Sequence, residues 1–135
     1  VMQWLMLQQD KPEDYVIATG RMETVRRFIE ISASCLGWNK DKNTEAILWE
    51  GKGTEEIGRR SDTKKIVVRI DKRYFRPAEV DQLLGDPSKA FKILKWKPKI
   101  SLEDLVSEMI EEDKTLAAKE YFLKEKGFKV NKPSE

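Results

Sequence analysis

Apolar and polar residues follow a helical period most clearly near the end of the chain. After Ser101 the apolar residues recur every three or four positions: Leu102, Leu105, Val106, Met109 and Ile110. Ser101 and Asp104 have the spacing of a capping box, which predicts that a helix starts here. Residues 115–126 predict another amphipathic helix, which ends at Gly127. The sequence therefore predicts two helices in this region.

Three further segments have helical signals. Residues 3–9 are typical of the end of a helix, because Pro12 disfavours helical geometry in the residue before it. Thr24 is a suitable cap for a helix that Gly37 stops. The pattern gives this helix one buried face, formed by Val25, Phe28, Ile29, Ser32 and Leu36. A short helix is predicted to open at residues 86–88 and to run through Leu94.

Strand signals occur at residues 15–18, 46–49 and 65–70, where apolar or alternating residues form short runs. Residues 51–62 between the last two runs are polar and punctuated by glycine, which predicts a loop. The expected fold class is α/β, with a small mixed sheet packed against amphipathic helices. We expect one domain over residues 1–130, followed by a polar tail at residues 131–135.

Composition narrows the class of protein. The chain has 135 residues, enough for one domain with a core, and its 26 basic and 24 acidic residues give a net charge of +2. This balance is no electrostatic footprint for nucleic acid, so any phosphate site must be local. The apolar run at residues 4–7 is too short to span a membrane. The single cysteine, Cys35, suits a reducing compartment, and we expect a cytoplasmic protein in which this thiol is buried and inert.

Catalytic and cofactor motifs are missing from the sequence. The chain has no histidine, which excludes Ser-His-Asp, Cys-His and His-metal chemistry. Gly51, Gly53 and Gly58 lack the spacing of a dinucleotide fingerprint, and no tyrosine is followed by a lysine four positions on. No catalytic, cofactor-binding or metal-binding residue is therefore assigned.

Arg76 and Glu79 form the best candidate site, because they flank a proline and follow two aromatic residues. The fork of an arginine can bind two phosphate oxygens, and a carboxylate can accept hydrogen bonds from a ribose diol. The alternative is an ion pair that pins the turn. Arg59 and its neighbour Arg60 are further candidates for phosphate binding, and the alternative is that they are ordinary solvated loop arginines.

Several motifs resemble GDP-mannose 4,6-dehydratases, a family of extended short-chain dehydrogenase/reductases. The most specific are RYFRPAEVD at residues 73–81, LLGDPSKA at 83–90 and WKP at 96–98. Residues 4–9, 15–20, 24–26, 57–59 and 102–110 also look like this family, in the same order. The resemblance is to the C-terminal, nucleotide-sugar-binding portion only. One departure is Lys95, which stands where the family usually has glycine, and residues 39–45 look longer than in some relatives.

The resemblance implies a function for the site. Arg76 would contact the pyrophosphate of GDP-mannose and Glu79 its ribose, whereas Asp86, Pro87, Lys89, Trp96 and Pro98 would be structural. The family binds NADP through an N-terminal Rossmann domain, which also supplies its catalytic Thr, Glu and Tyr-x-x-x-Lys. We therefore expect GDP-sugar binding without catalysis in this chain, and self-association into a homo-oligomer through exposed apolar surface. The alternatives are a stand-alone nucleotide-binding module and an interaction module with a vestigial pocket.

Overall fold

The computed structural model describes residues 1–39, 41, 43–76 and 83–130 of the chain. Its elements, in chain order, are α1 (Met2–Leu7), α2 (Val25–Cys35), β1 (Ile47–Glu50), β2 (Ile57–Arg60), β3 (Ile66–Arg69), α3 (Ser88–Leu94) and α4 (Leu102–Glu125). Single turns of 3-10 helix lie at Gly53–Glu55 and Lys72–Tyr74. The α/β fold class is thereby confirmed, and the predicted tail at residues 131–135 lies outside the described residues.

The sheet is a meander in the order β1-β2-β3, and both pairings are antiparallel. The prediction of a mixed sheet is therefore wrong. Leu48 lies opposite Arg59 in the first pairing, and Gly58 lies opposite Val68 in the second. Short connections of this kind join antiparallel neighbours, whereas a parallel neighbour would need a longer crossover.

Two of the predicted elements differ from the structure. Residues 15–18 form no strand in the part of the chain that the structure describes, and β2 lies inside the segment predicted as a loop. A run of apolar residues indicates burial, but it does not supply a partner strand. Residues 16 and 18 instead lie close to Gly85, where an added Cβ would be 2.7 Å from the Ala18 Cβ. The sheet is therefore completed by β2, its central strand, and not by residues 15–18.

Helix α2 begins as predicted, because the Thr24 side chain accepts a hydrogen bond from the Arg27 backbone nitrogen at 3.0 Å. Its burial differs from the prediction. The buried residues are Ile31 and Ala33, whereas Val25 on the predicted face is exposed. The helix is held on two flanks, since Ala33 packs with the sheet and Arg27 pairs with Glu103 of α4. Two partners on different flanks leave the predicted face between them only partly covered.

The buried apolar residues fall into two clusters. Ala33, Ala46 and Ile47 join α2 to β1, with Trp38 and Trp49 packed against them. The second cluster joins α1 to α3, and its buried residues are Met2, Ala90 and Leu94. Trp96 packs against this second cluster, as expected for a structural tryptophan.

Helix α3 is fixed at its start by the residues that the resemblance marked as structural. The Asp86 carboxylate accepts hydrogen bonds from the Ser88 backbone nitrogen and hydroxyl, which lower the pKa of this carboxyl group. Lys89 pairs with Glu13 at 3.0 Å and donates to the Asp14 carbonyl oxygen at 2.9 Å. These contacts tie α3 to the segment before residue 15.

Lys95 ends α3 in the left-handed region, with φ at 51°. A Cβ is disfavoured there, which gives a physical reason for glycine at this position in the family. We expect Lys95→Gly to raise the free energy of unfolding by about 0.5–1 kcal/mol, because relief of strain exceeds the entropic cost of glycine. Urea denaturation measures the change. Lys92→Gly, inside α3, is the control and should lower stability by about 1 kcal/mol; a loss in both variants would contradict this explanation.

Helix α4 is one continuous helix from Leu102 to Glu125. Its predicted capping box is confirmed, since the Ser101 hydroxyl accepts from the Asp104 backbone nitrogen at 3.0 Å and Asp104 accepts in return from Ser101. The prediction of two helices is wrong here. No glycine or proline separates residues 110–115, so the backbone has no reason to break there despite the run of acidic residues.

Candidate functional site

The candidate site begins where β3 leads into a tight turn. Asp71 caps the 3-10 turn Lys72–Tyr74 and accepts a hydrogen bond from the Arg73 backbone nitrogen at 2.9 Å. The Arg73 side chain folds back onto the same carboxylate, with its Nε at 2.9 Å and its Nη2 at 2.7 Å from Asp71 Oδ2. These hydrogen bonds lower the pKa of Asp71. The carboxylate is therefore ionised at neutral pH and fixes the start of the turn.

A second ion pair ties this turn to the loop between β1 and β2. Lys72 Nζ lies 2.6 Å from Glu55 Oε1 in the turn Gly53–Glu55. The hydrogen bond and the opposite charge lower the pKa of Glu55 and raise the pKa of Lys72. Both side chains are largely exposed, so the pair orients the turn and contributes little stability.

The residues after the turn are open to solvent. Tyr74 and Phe75 are exposed, and the Arg73 guanidinium lies 5.4 Å from the centre of the Tyr74 ring. Arg76 is exposed at the end of this segment. Glu79, the other half of the predicted pair, lies outside the described residues. The structure thus places Arg76 beside an exposed aromatic pair, and the role of the Arg76 and Glu79 pair stays a prediction.

Arg59 is engaged within the sheet. Its Nε donates to Glu50 Oε2 at 2.9 Å, and its Nη1 donates to the Lys64 carbonyl oxygen at 3.2 Å. These contacts join β2 to the end of β1 and to the turn before β3. They favour a structural role over the phosphate contact predicted for Arg59, because the guanidinium already has two acceptors.

Two arginines stack on tryptophan rings, which the sequence did not predict. Arg60 lies 4.4 Å from the centre of the Trp38 ring and pairs with Asp62 at 2.6 Å. The hydrogen bond from Arg60 lowers the pKa of Asp62 to about 2. Arg26 stacks on the Trp49 ring at 4.2 Å and pairs with Glu56 at 2.6 Å. The sequence shows only that arginines and tryptophans are present. Because the partners are more than 20 residues apart in the chain, it does not show which arginine stacks on which ring.

The glycines of the β1–β2 region serve the sheet. Gly51 and Gly53 have positive φ in the connecting turn, which agrees with the interpretation as a turn after a strand. Gly58 is buried in β2, and a Cβ there would meet Ile47, Trp49 and Val68 at 3.1 Å. Because glycine has no Cβ, these three side chains can pack directly against the backbone of β2. The arrangement does not form a dinucleotide site, which needs a strand followed directly by a helix over the phosphates.

No group of three or more Cys, Asp or Glu side chains in residues 1–39, 41, 43–76 and 83–130 is placed to hold a metal ion. None of the helices described has the length and apolar character needed to cross a membrane. Cys35 is exposed rather than buried, contrary to the prediction, and it is the last residue of α2.

Comparison with known proteins extends these observations. The sequence profile of the family described as GDP-mannose 4,6 dehydratase matches residues 1–109. GDP-mannose 4,6 dehydratase of Cricetulus griseus is 49% identical over 82% of this chain and 28% of its own length. The GDP-mannose 4,6-dehydratases of Yersinia enterocolitica and Vibrio cholerae are each 46% identical over 96% of this chain and 36% of their own lengths. The chain thus spans about a third of the length of the curated relatives that it matches.

Proposed function

Since the chain belongs to the GDP-mannose 4,6-dehydratase family, we propose that it forms the part of such an enzyme that holds the nucleotide end of a GDP-sugar. The observation that carries the proposal is the family match, which runs through the turn at residues 71–76 and its flanking sequence. In this proposal Arg76 binds the pyrophosphate and Glu79 accepts hydrogen bonds from the ribose hydroxyls.

The geometry around Arg76 supports this assignment. Asp71 binds Arg73, and Glu55 binds Lys72, so two ion pairs hold the turn that precedes Arg76. Tyr74 and Phe75 are exposed next to Arg76 and offer apolar ring surface to a base or a sugar. Because two ion pairs hold this turn, the backbone that leads into Arg76 loses less conformational entropy when a ligand binds.

In this proposal the binding of NADP and the catalytic steps belong to other parts of the enzyme. The described residues do not form a dinucleotide site, and Gly51, Gly53 and Gly58 serve a turn and a strand. Hydride transfer requires a bound nicotinamide and a placed base. The relatives are about three times as long as the matched segment, and we assign their cofactor and catalytic groups to the remainder of their sequence.

Calorimetry with GDP tests the assignment of Arg76. We expect Arg76→Ala to weaken GDP binding by roughly 1.5 to 3 kcal/mol, or about 10- to 150-fold, because a charge-assisted contact to the pyrophosphate is lost. Arg73→Ala is the matched control, since it removes an arginine of the same turn that binds Asp71. If both variants weaken binding equally and lower the melting temperature equally, the two arginines only pin the turn.

Glu79 is tested by a change in the ligand. Glu79→Ala should weaken the binding of GDP more than the binding of 2′,3′-dideoxy-GDP, because the second ligand lacks the ribose hydroxyls that the carboxylate would bind. An equal loss for both ligands would contradict the ribose contact. If the wild-type chain gives no heat with GDP in the millimolar range, the interpretation as an interaction module with a vestigial pocket replaces the proposal.

A further inference from the structure

The connection between α3 and α4 is rich in lysine. Residues 89–100 contain five lysines and no acidic residue, although the whole chain has 26 basic and 24 acidic residues. The first of these lysines is bound to Glu13. Among the residues that the structure describes, no carboxylate forms an ion pair with any of the other four, Lys92, Lys95, Lys97 and Lys99. This connection is therefore a local region of uncompensated positive charge.

An apolar groove lies along the same connection. It has a volume of about 560 Å³ and is bordered by α1 on one side and by residues 95–100 on the other. Trp96 and Pro98 in this segment are half-buried, whereas Lys95, Lys97 and Lys99 are exposed. Basic and apolar residues thus alternate along the segment, as they do in a strand with one face in solvent.

The backbone of this segment has unused hydrogen-bonding groups. In residues 1–39, 41, 43–76 and 83–130, the N–H and C=O groups of residues 96–100 have no hydrogen-bond partner. Pro98 cannot continue a helix and restricts Lys97 to the extended region. In an extended segment the N–H and C=O groups of Lys97 and Lys99 point to one edge, and those of Pro98 point to the other. The edge without the proline can therefore accept a further strand.

The backbone of Lys95 gives an independent indication. Its φ is 51°, in the left-handed region, where a Cβ costs free energy. Its ammonium group has no ion-pair partner among the described residues that would offset this cost. Backbone strain is concentrated at sites that bind ligands, so a strained and unpaired lysine at the border of the groove favours a role in binding.

We propose that residues 95–100 bind an extended acidic peptide of a partner protein, which adds as a strand beside Lys97 and Lys99. The side chains of such a peptide alternate between its two faces. Its carboxylates lie on the face of the lysines, and its apolar side chains enter the groove. This site uses none of the residues in the turn at 71–76, and the proposal does not depend on GDP binding there.

Two other polyanions fit this surface less well. A membrane-binding surface projects apolar side chains into the bilayer, whereas the apolar surface here is a groove. Single-stranded nucleic acid stacks on free aromatic faces. The Trp96 ring instead lies against Phe91, with 6.0 Å between the ring centres, and packs on the cluster that joins α1 to α3. A groove bordered by lysines is suited to an apolar side chain flanked by carboxylates.

Fluorescence anisotropy of the full 135-residue chain with a fluorescein-labelled peptide of nine residues, in which glutamate and leucine alternate, tests the proposal. We expect saturable binding that weakens as salt is added. Lys95→Gly and Lys97→Gln should each weaken it about two- to fivefold, the range for one exposed ion pair. Because Lys95→Gly should also stabilise the fold, its loss of binding would not result from unfolding. Lys52→Gln/Lys119→Gln, at exposed positions outside the segment, is the control and should bind as the wild type does.

Changes in the peptide test how it binds. Replacement of its glutamates by glutamine, or of its leucines by serine, should weaken binding at least about fivefold. Methylation of alternate backbone nitrogens blocks one edge of the peptide at a time, so one methylated form should lose binding and the other should keep it.

Four results would overturn the proposal. The first is no saturable binding to the wild-type chain at millimolar peptide, and the second is an equal loss in the Lys52→Gln/Lys119→Gln control. The third is the same affinity for both methylated peptides, which would exclude strand addition. The last is equal displacement of the peptide by phosphatidylglycerol vesicles or by oligothymidine at the same total negative charge, because the segment would then attract any polyanion.

Discussion

Ile47→Ala is expected to lower the free energy of unfolding by about 2 to 5 kcal/mol, the range for truncation of a buried isoleucine. Ile47 is 1% exposed and packs with Ala33 and Ala46 where α2 meets the sheet. Its side chain also lies directly over Gly58. Neither the glycine nor the alanines can fill the space left by three carbon atoms, so the cavity should persist.

Urea denaturation followed by tryptophan fluorescence measures this effect, because Trp38 and Trp49 pack against the same cluster. Val67→Ala is the matched control, an aliphatic truncation at an exposed position of β3, and should stay within about 0.5 kcal/mol of the wild type. A loss below about 1 kcal/mol for Ile47→Ala would show that this cluster can collapse around the change.

Gly51→Ala is expected to lower the free energy of unfolding by about 2 to 4 kcal/mol, because strain and a steric clash add together. Gly51 has φ at 87°, and an added Cβ would lie 2.7 Å from the Glu55 backbone oxygen. A backbone atom cannot move aside as a side chain can. The turn between β1 and β2 would therefore have to open, and the pairing of Glu50 with Ile57 would weaken.

Gly53→Ala separates the two causes in the same denaturation experiment. Gly53 has φ at 59° in the same turn, but its added Cβ would meet no atom within 4 Å. This control should cost only about 1 kcal/mol of strain. Equal losses in the two variants would mean that the clash with Glu55 contributes nothing.

Helix positions were largely predictable because their ends are marked locally. Thr24, Ser101 and Gly127 mark helix boundaries in the sequence and in the structure. The continuity of α4 was missed because three consecutive acidic residues near its middle, Glu111, Glu112 and Asp113, resemble a polar break. Their spacing along a helix keeps them solvated on its surface, so they do not interrupt the backbone hydrogen bonds.

The sheet was less predictable because its pairing is not a local property. In β2 only Ile57 is apolar, and its neighbour Gly58 usually weakens a strand. The strand exists because β1 and β3 supply hydrogen bonds on both of its sides and because Ile47 and Val68 need the space above Gly58. Residues 15–18 have a better strand composition, yet they gain no such partner among the described residues.

Residue chemistry singled out Arg76 and Glu79 as a candidate site, and only the family resemblance favoured ligand binding there. An arginine and a carboxylate three positions apart are as typical of a turn-pinning ion pair as of a ligand site, and residues alone left both interpretations open. The structure adds that Arg73 pairs with Asp71 and Lys72 pairs with Glu55 just before Arg76, and the role of the Arg76 and Glu79 pair stays a prediction. Arg59 illustrates the reverse case, because a suitable residue type proved to be bound to Glu50 and Lys64.

Because α4 is a single continuous helix, a change of its direction at one end moves its other end. A helix without a joint carries any change in its direction undiminished to its far end. Glu125 lies about 28 Å along the axis from Val106, so a tilt of 10° at the contact with α2 would displace it by about 5 Å. Small adjustments where α2 meets α4 are thereby amplified at the far end of α4.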